Sequence, residues 1–440
     1  MIKGIRGMRD ILPPDTARWQ WVESVAREVF DLYGYREIRL PLLERTELFA
    51  RSIGAETDIV AKEMYTFADR KGESLTLRPE ATASVLRAVL ENRLDKGAGV
   101  KKLYTMGPMF RYERPQKGRF RQFYQINCEA FGGEAPELDV EVILLLLTIL
   151  KRLLLGDMRL LINSLGCPEC QVKFKAALGL FLINKEDLCD DCRRRRTTNP
   201  LRVLDCKSAN CQVILRGAPV MRDYLCADCA AHHARVLELL DRFNVAYKEQ
   251  PRLVRGLDYY TRTAFEVVAV GLGAQDAVAG GGRYNGLARE LGGPDIPAIG
   301  FAIGEDRLLE VMPSNLGQDM RPRVFVAALG EPARERAFTL VQDLRRKDLA
   351  AEMDFEGRSL KAQMTLADRL GATFVVILGE RELASGVAQV RPMRQIPTPV
   401  GGSGQQLEVE GGRLVVEQEP VPFEDLVDYL IGKIRQSEGP

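Results

Sequence analysis

Histidine is nearly absent from this chain: there are two in 440 residues, His232 and His233. With so few imidazoles, no conventional Ser/His/Asp hydrolase triad can be assembled around the rest of the sequence. An excess of charge is missing too, since 62 Lys and Arg balance 61 Asp and Glu to a net +1. Composition therefore does not announce a nucleic-acid binder, and any RNA must be met by local basic patches on a balanced surface. Long apolar runs are also lacking. The most apolar stretch, 142–155, is interrupted by Thr148, Lys151 and Arg152. It falls short of the ~20 apolar residues that a membrane-spanning helix needs, so a buried core helix is expected, and no membrane partner. The charged segment 1–10 does not read as a secretory signal, and no internal repeat is visible. The expected setting is the cytoplasm.

What is present is ordinary globular material, 46% apolar and 28% charged, enough for about two to four domains. Pro13-Pro14-Asp15 reads as a loop entering a helix, with Asp15 as its N-cap. Val22, Val25, Ala26, Val29, Phe30 and Tyr33 then recur at helical spacing. Gly34 stops that helix, and 36–40 reads as a strand closed by Pro41. Further strands are expected at 75–77, 102–111 and 122–131, the last two joined by a basic hairpin loop. Strand-like sequence returns at 262–270, followed by a glycine-rich turn at Gly280-Gly281-Gly282 and a strand-turn-helix over 298–311. A polar linker is expected at 312–323. Beyond it, strand 324–326, helices 333–347 and 360–370, strand 373–378 and a last helix near 423–434 alternate as in a small α/β domain. A flexible loop is expected at 401–404.

Eight of the nine cysteines lie between 167 and 229. Cys167/Cys170, Cys189/Cys192 and Cys226/Cys229 have C-x-x-C spacing, and Cys206/Cys211 form a wider pair. Two intervening residues let one turn present both sulfurs to a tetrahedral ion, and eight thiolates satisfy two closed four-cysteine zinc sites with none left over. Such sites are structural, because no coordination position stays open for water. A vestigial or partly lost zinc site, disulfides, free structural cysteines and a redox pair are the alternatives. Disulfides fit a reducing compartment poorly. Which pairs share an ion cannot be read from spacing. His232 and His233 are either spare ligands or solvated helix residues, the second being the more ordinary reading.

Four segments gather residues suited to one chemistry. Leu77-Arg78-Pro79-Glu80-Ala81-Thr82 offers a carboxylate and a hydroxyl fit to hold an ammonium group. Phe110 to Phe123 puts an arginine at a strand end, where it can fork onto a phosphate and a carboxylate, with further cations beyond. Arg255-Gly256-Leu257-Asp258-Tyr259-Tyr260 sets a cation beside two phenols. Gly300 to Leu308 brings a glycine and an arginine to a helix start, suited to a purine and its phosphates. Taken singly, each has an ordinary explanation; together they are far more specific.

That joint pattern resembles the class II aminoacyl-tRNA synthetases. Gly34-Tyr35 with the strand to Pro41, then Phe110 to Phe123, then Gly300 to Leu308 are similar to their three signatures. Arg255 to Thr261 together with Ala279 to Leu287 resembles the two segments peculiar to histidyl-tRNA synthetases, and the resemblance covers nearly the whole chain. It implies an α+β fold in which an antiparallel catalytic sheet is formed by 1–163 and 251–318, interrupted by a cysteine-rich insertion at 164–250. An α/β anticodon-binding domain at 323–440 completes it. The implied reaction is activation of histidine with ATP and Mg2+, then transfer to the 3′ end of histidine tRNA, by a homodimer whose interface includes the apolar helix stripe. The same stripe would also arise from packing within one subunit.

The resemblance further implies that Glu80 and Thr82 hold the amino group of histidine. Arg111 grips its carboxylate and the α-phosphate, Gln125 contacts the carboxylate, and Glu129 with Tyr260 reads the imidazole. Ala81, Arg255 and Tyr259 complete the histidine set. Glu113, Arg119 and Phe123 position ATP, Arg307 meets its γ-phosphate, and Arg255 stabilises charge at the α-phosphate. Arg111 and Arg255 are the implied catalytic pair, and Gln116 and Arg121 the acceptor-end contacts. Zinc rests on the spacing of the cysteines, since many family members place other residues there. Competing readings are a non-catalytic, histidine-sensing regulatory paralogue, a synthetase for another amino acid, and a zinc-dependent RNA-binding module. Retention of Arg111, Arg255, Arg307 and a C-terminal domain argues against the first.

Overall fold

A computed structural model describes residues 2–54, 57, 59–115, 118–269, 277–314, 316–317, 323–393, 409–410, 413–414 and 418–438. The chain divides into two compact units, Met1–Gln318 and Asp319–Pro440.

The first unit is built on an eight-stranded sheet. Its order is Arg36–Glu37, Lys101–Phe110, Gln122–Phe131, Ala298–Gly304, Ala277–Arg283, Thr261–Ala269, Met158–Ser164 and Tyr247–Glu249. All neighbours run antiparallel except the outermost pair at each edge. Alternation along the strands sorts the two faces. Ile126, Cys128 and Ala130, with Ile299, Phe301 and Ile303 of the adjoining strand, point into the main core. Helices Asp15–Leu32, Pro136–Arg152 and Ala227–Arg242 contribute to that core.

The apolar stripe of Asp15–Leu32 is consumed there: Val22, Ala26, Val29 and Phe30 are fully buried, and Phe30 stacks on Tyr104 at 4.2 Å. Truncating such a ring costs about 3–5 kcal/mol. The stripe is thus explained by packing within one chain. Asp15 is the first helical residue and Pro14 holds the cap position, so the expected Asp15 cap is not formed. The carboxylate still sits in the first turn, where the helix dipole favours it. The strand expected at 36–40 pairs only at Arg36–Glu37, and one bond, Ile38 N–H to the Tyr104 carbonyl, prolongs it before Pro41.

The stretch 142–155 is a buried helix and turn, as its composition demands. No helix among the described residues is long and apolar enough to cross a membrane. Asp139 of helix Pro136–Arg152 and Arg283 at the end of strand Ala277–Arg283 form a fully buried ion pair, and Arg283 also donates to the carbonyls of Gly133 and Ala135. His232 Nε2 lies 3.6 Å from Asp139, and His233 Nε2 lies 3.3 Å from Glu249. Both histidines are buried rather than solvated, because 232, 236, 239 and 240 form the inner stripe of their helix.

In the second unit the order is Ala351–Met353, Val324–Ala328, Phe374–Leu378, Val387–Pro392, Glu419–Pro422. The first three strands are parallel and the last two antiparallel. Val324 and Val326 face helices Glu331–Arg346 and Leu426–Glu438, while Phe325 and Ala327 face Leu360–Leu370. Both faces are covered, which is why these strands are apolar throughout. The loop expected at 401–404 and most of the linker's end, 318–322, lie outside the described residues.

Candidate active site

The sheet face opposite the main core carries the site. Gln125, Asn127 and Glu129 project from one side of Gln122–Phe131, and their register partners are Gly304, Ala302 and Gly300. Gly280 and Gly282 of the next strand continue that lane. One strand supplies polar side chains and its neighbours supply almost none, so a trough forms. The glycine triplet expected to turn is therefore strand, Ala277–Arg283. Its glycines are demanded by space: a Cβ at Gly300 would overlap the Glu129 carboxylate, and one at Gly280 would lie 2.6 Å from Arg255 Cζ.

The trough is a cavity of about 230 Å³. It brings together Glu80, Thr82, Arg111, Glu113, Arg119, Phe123, Gln125, Glu129, Arg255, Tyr259, Tyr260 and Arg307. These come from four separate stretches of sequence. Ala81 is buried at the cap position of helix Thr82–Glu91 and does not line the cavity. Arg121 lies outside it, stacked 3.9 Å over Tyr112 with Nε donating to the Glu113 carbonyl. Gln116 falls outside the described residues.

One end of the cavity is acidic and hydroxyl-rich. Glu80 accepts from the N–H groups of Thr82 (2.7 Å) and Ala83 (3.0 Å), anchoring its carboxylate at a helix start. Thr82 Oγ1 donates to Glu129 Oε1 at 2.6 Å, and the Tyr284 hydroxyl donates to Glu129 Oε2. Burial pushes the Glu129 carboxyl up to about 8, against those two hydrogen bonds and with the Glu80 charge adding to the rise. Tyr259 packs 4.7 Å from Tyr260 and 5.5 Å from Tyr284, ring centre to ring centre.

The other end is cationic. Arg111 Nε donates to the Pro79 carbonyl at 2.9 Å, and its guanidinium lies 5.2 Å from the Phe123 ring centre. Arg119 pairs with Glu113 at 2.7 Å. Arg307 donates to the carbonyls of Gly118 and Ala277. Burial lowers its pKa, with Arg119 and Arg111 pressing the same way. Between the two ends, Arg255 Nη1 binds Glu266 at 2.7 Å, while its buried Nε has no protein partner. Gln125 Oε1 and Asn127 Oδ1 are likewise buried without a partner. Three unsatisfied polar atoms in one concavity describe a site built for a polar ligand.

The sequence reading missed Asn127, Tyr284 and Asp306. Asn127 was signalled by period-2 alternation with Gln125 and Glu129. Tyr284 lies within the Ala279 to Leu287 stretch, where local sequence names no partner for it. Asp306, which accepts from Tyr124 N–H and Arg9, had no sequence signal.

The eight cysteines form two groups, Cys167/Cys170/Cys226/Cys229 and Cys189/Cys192/Cys206/Cys211, with sulfurs within 4.8 Å of one another in each. The pairing that spacing left open is nested: the outer pairs share one group and the inner pairs the other. Cys167, Cys189 and Cys226 each cap a helix start. There the N–H of Cys229 draws the Cys226 thiol down to about 7, the environment that makes thiolates. Sulfur separations of 3.5 Å (Cys167 to Cys170) and 3.7 Å (Cys189 to Cys206) are close to the roughly 3.8 Å edge of a tetrahedron with Zn–S near 2.3 Å. None of the eight is in a disulfide, and both histidines stand apart from the two groups.

A family model described as histidyl-tRNA synthetase matches residues 7–179 and 184–308, and one described as anticodon binding domain matches 323–433. The chain belongs to the histidyl-tRNA synthetase family. The histidine–tRNA ligase of Desulfatibacillum aliphaticivorans is 54% identical over 395 residues, 89% of this chain and 94% of that protein. That of Syntrophotalea carbinolica is 52% identical over 411 residues, 93% and 97% of the two. The apo histidyl-tRNA synthetase of S. aureus matches with a TM-score of 0.79 at 36% identity, over 98% of this chain and 100% of that one. The expected class II fold, with its antiparallel sheet and separate anticodon-binding domain, is borne out. So is the expected enzyme class: the chain is an aminoacyl-tRNA ligase, not a non-catalytic relative.

Proposed function

We propose that the cavity adenylates histidine with the imidazole at its acidic end and ATP at its cationic end. The observation that carries this reading is Glu129. It is a fully buried carboxyl held by two hydroxyls and walled by tyrosines, with a pKa near 8. Such a group can exchange one proton with an imidazole at neutral pH. A ring without nitrogen leaves it unsatisfied, which disfavours other amino acids by roughly 10⁴-fold or more. Tyr260 completes the recognition, Glu80 and Thr82 take the α-ammonium, Gln125 and Arg111 the carboxylate, and Tyr259 the wall of the pocket.

In the first step a histidine carboxylate oxygen attacks the α-phosphorus of ATP. A P–O bond forms, the bond to the β-phosphate oxygen breaks, and pyrophosphate leaves. The nucleophile is already ionised, so no general base is required. The work is in-line positioning and neutralisation of charge on the phosphoryl oxygens. Arg111 and Arg255 would serve the α-phosphate, Arg307 the γ-phosphate, and Glu113 with Arg119 and Phe123 would orient the nucleotide. Magnesium, when bound, neutralises phosphate charge, and Glu113 is the carboxylate at that end suited to approach it. In the second step the terminal ribose hydroxyl of tRNA attacks the carbonyl carbon, the acyl C–O bond to the phosphate breaks, and AMP leaves with the hydroxyl proton on its phosphate.

We assign the 164–250 insertion a structural role, with one Zn2+ in each cysteine group. The nested sulfur geometry and the helix-start N–H groups support this. The catalytic stretches 1–163 and 251–318, an anticodon-binding domain at 323–440, acceptor-end contacts at Gln116 and Arg121, a homodimer and a cytoplasmic setting complete the reading by family resemblance. Exposed Leu42, Leu43 and Phe67 support a further interface better than the buried helix stripe does. Pyrophosphate exchange into ATP should require histidine and fail with the other nineteen amino acids. Exchange with several of them, or with none, sinks the proposal.

A further inference from the structure

The cysteine-rich module has no task in adenylation, yet its side chains reach the backbone of the segment that reads histidine. Residues 253–260 contain no regular helix or strand, so no ladder fixes them. Asn163 Nδ2 donates to the Leu253 carbonyl and the Asp258 N–H to the Ile53 carbonyl, and three side chains of the module add to these. Gln171, next to Cys170, donates Nε2 to the Tyr260 carbonyl at 2.9 Å. Arg202, between Cys192 and Cys206, donates Nη1 to the Arg255 carbonyl at 2.9 Å and is itself almost buried. Asn199 donates Nδ2 to Asp258 Oδ2 at 2.8 Å. Gln171 belongs to the helix that starts at the first cysteine group, and Asn199 and Arg202 lie on the loop that the second group closes.

We propose that Gln171, Asn199 and Arg202 are positioning residues that tie metal occupancy of the two cysteine groups to the histidine site. The first filled group fixes Gln171 and the second fixes Asn199 and Arg202, and these anchors hold Arg255 and Tyr260 where the substrate meets them. The metal half rests on the zinc reading above, whereas the anchoring half does not. Coupling of this kind is reciprocal: if metal raises histidine affinity, histidine raises metal affinity by the same factor. ATP contacts assigned to Arg111, Arg119 and Arg307 lie on other segments and should be indifferent, whereas Arg255, held by Arg202, is shared by histidine and the α-phosphate.

The test uses full-length, zinc-loaded protein. Calorimetric titration with histidine, without ATP, should show about tenfold weaker binding for Arg202→Met and for Gln171→Leu. Arg202→Lys should recover most of the loss and bound zinc should be unchanged, and the KM for ATP should be unchanged in Gln171→Leu, whose anchor does not touch Arg255. In wild type, saturating histidine should raise the apparent zinc affinity against a chromophoric chelator by a similar factor, and the Arg202→Met/Gln171→Leu double variant should lose that response. Wild-type histidine affinity in both single variants overturns the anchoring. Histidine-independent zinc affinity in wild type overturns the coupling, and needs no variant to fold. A chain that folds and binds histidine with no metal present overturns the zinc reading alone, leaving the arginine and glutamine arms to decide the anchoring.

Discussion

The sheet's cavity face and the cysteine-rich module both keep polar groups ordered away from water, but by opposite means. Around the sheet, the buried acidic groups named above have protein partners: Asp139 has Arg283, Glu129 has Thr82 and Tyr284, and Glu80 has two backbone N–H groups. In the module, Cys170, Cys192, Cys206, Cys211 and Cys229 are core residues alongside Phe174, Leu178 and Leu182, and their sulfurs look mainly to each other. A small core of that kind cannot bury enough apolar surface to stand alone, and the proposed ion in each cysteine group would supply what it lacks. Two kinds of buried polarity in one chain should therefore fail under different insults.

Chelation should divide them most sharply. Structural zinc is worth about 10–16 kcal/mol in small metal-dependent domains. Removing it should open 167–229 to proteolysis while amides of Gln122–Phe131 stay protected from hydrogen exchange. Loss of protection in both regions together would show that the sheet depends on the module. Next in size, Glu129→Ala should cut kcat/KM for histidine in pyrophosphate exchange about 10³-fold, roughly 4 kcal/mol, with zinc content unchanged. Asp139→Ala strands the Arg283 charge and should lower unfolding free energy by about 3–5 kcal/mol, read by denaturant titration.

Gly300→Ala pushes a methyl into the Glu129 carboxylate. It should cost about 1–3 kcal/mol and raise the KM for histidine, whereas Gly286→Ala, with open space around it, should change neither. The smallest effect is on pH dependence. With Glu129 near 8 and free imidazole near 6.5, the separate partners hold one proton between those values, as does the bound pair. Affinity should be flat there. It should fall below about 6.5, where binding must release a proton, and above about 8, where binding must take one up. Glu129→Gln should remove the alkaline fall. Stability of the ligand-free protein should decline from about pH 4.5 to about 8, since a raised carboxyl pKa favours the folded state only while the group is protonated.

Much of this was legible. The strands at 122–131 and 298–304 and the helix at 360–370 follow from periodicity, and the cysteine spacing announces its geometry. What failed did so for physical reasons. Three glycines in a row carry no hydrophobic pattern, so a strand stripped of side chains where Arg255 and Tyr260 lie against it reads as a turn. His232 and His233 read as solvated because polarity was weighed ahead of their helical stripe with Val236 and Leu240. Tyr284 and Asp306 act through partners 155 and 182 residues away in sequence, and the nesting of the cysteine pairs depends on how helix starts meet in space. Local pattern holds neither kind of information.

The most direct test of the central claim is a calorimetric comparison of histidine with thienylalanine, a ring of similar shape without nitrogen, on wild type and Glu129→Gln. The account predicts that wild type prefers histidine by at least about 10²-fold and that the variant loses most of that preference by weakening histidine alone. An equal preference in both proteins would mean that Glu129 does not read the imidazole.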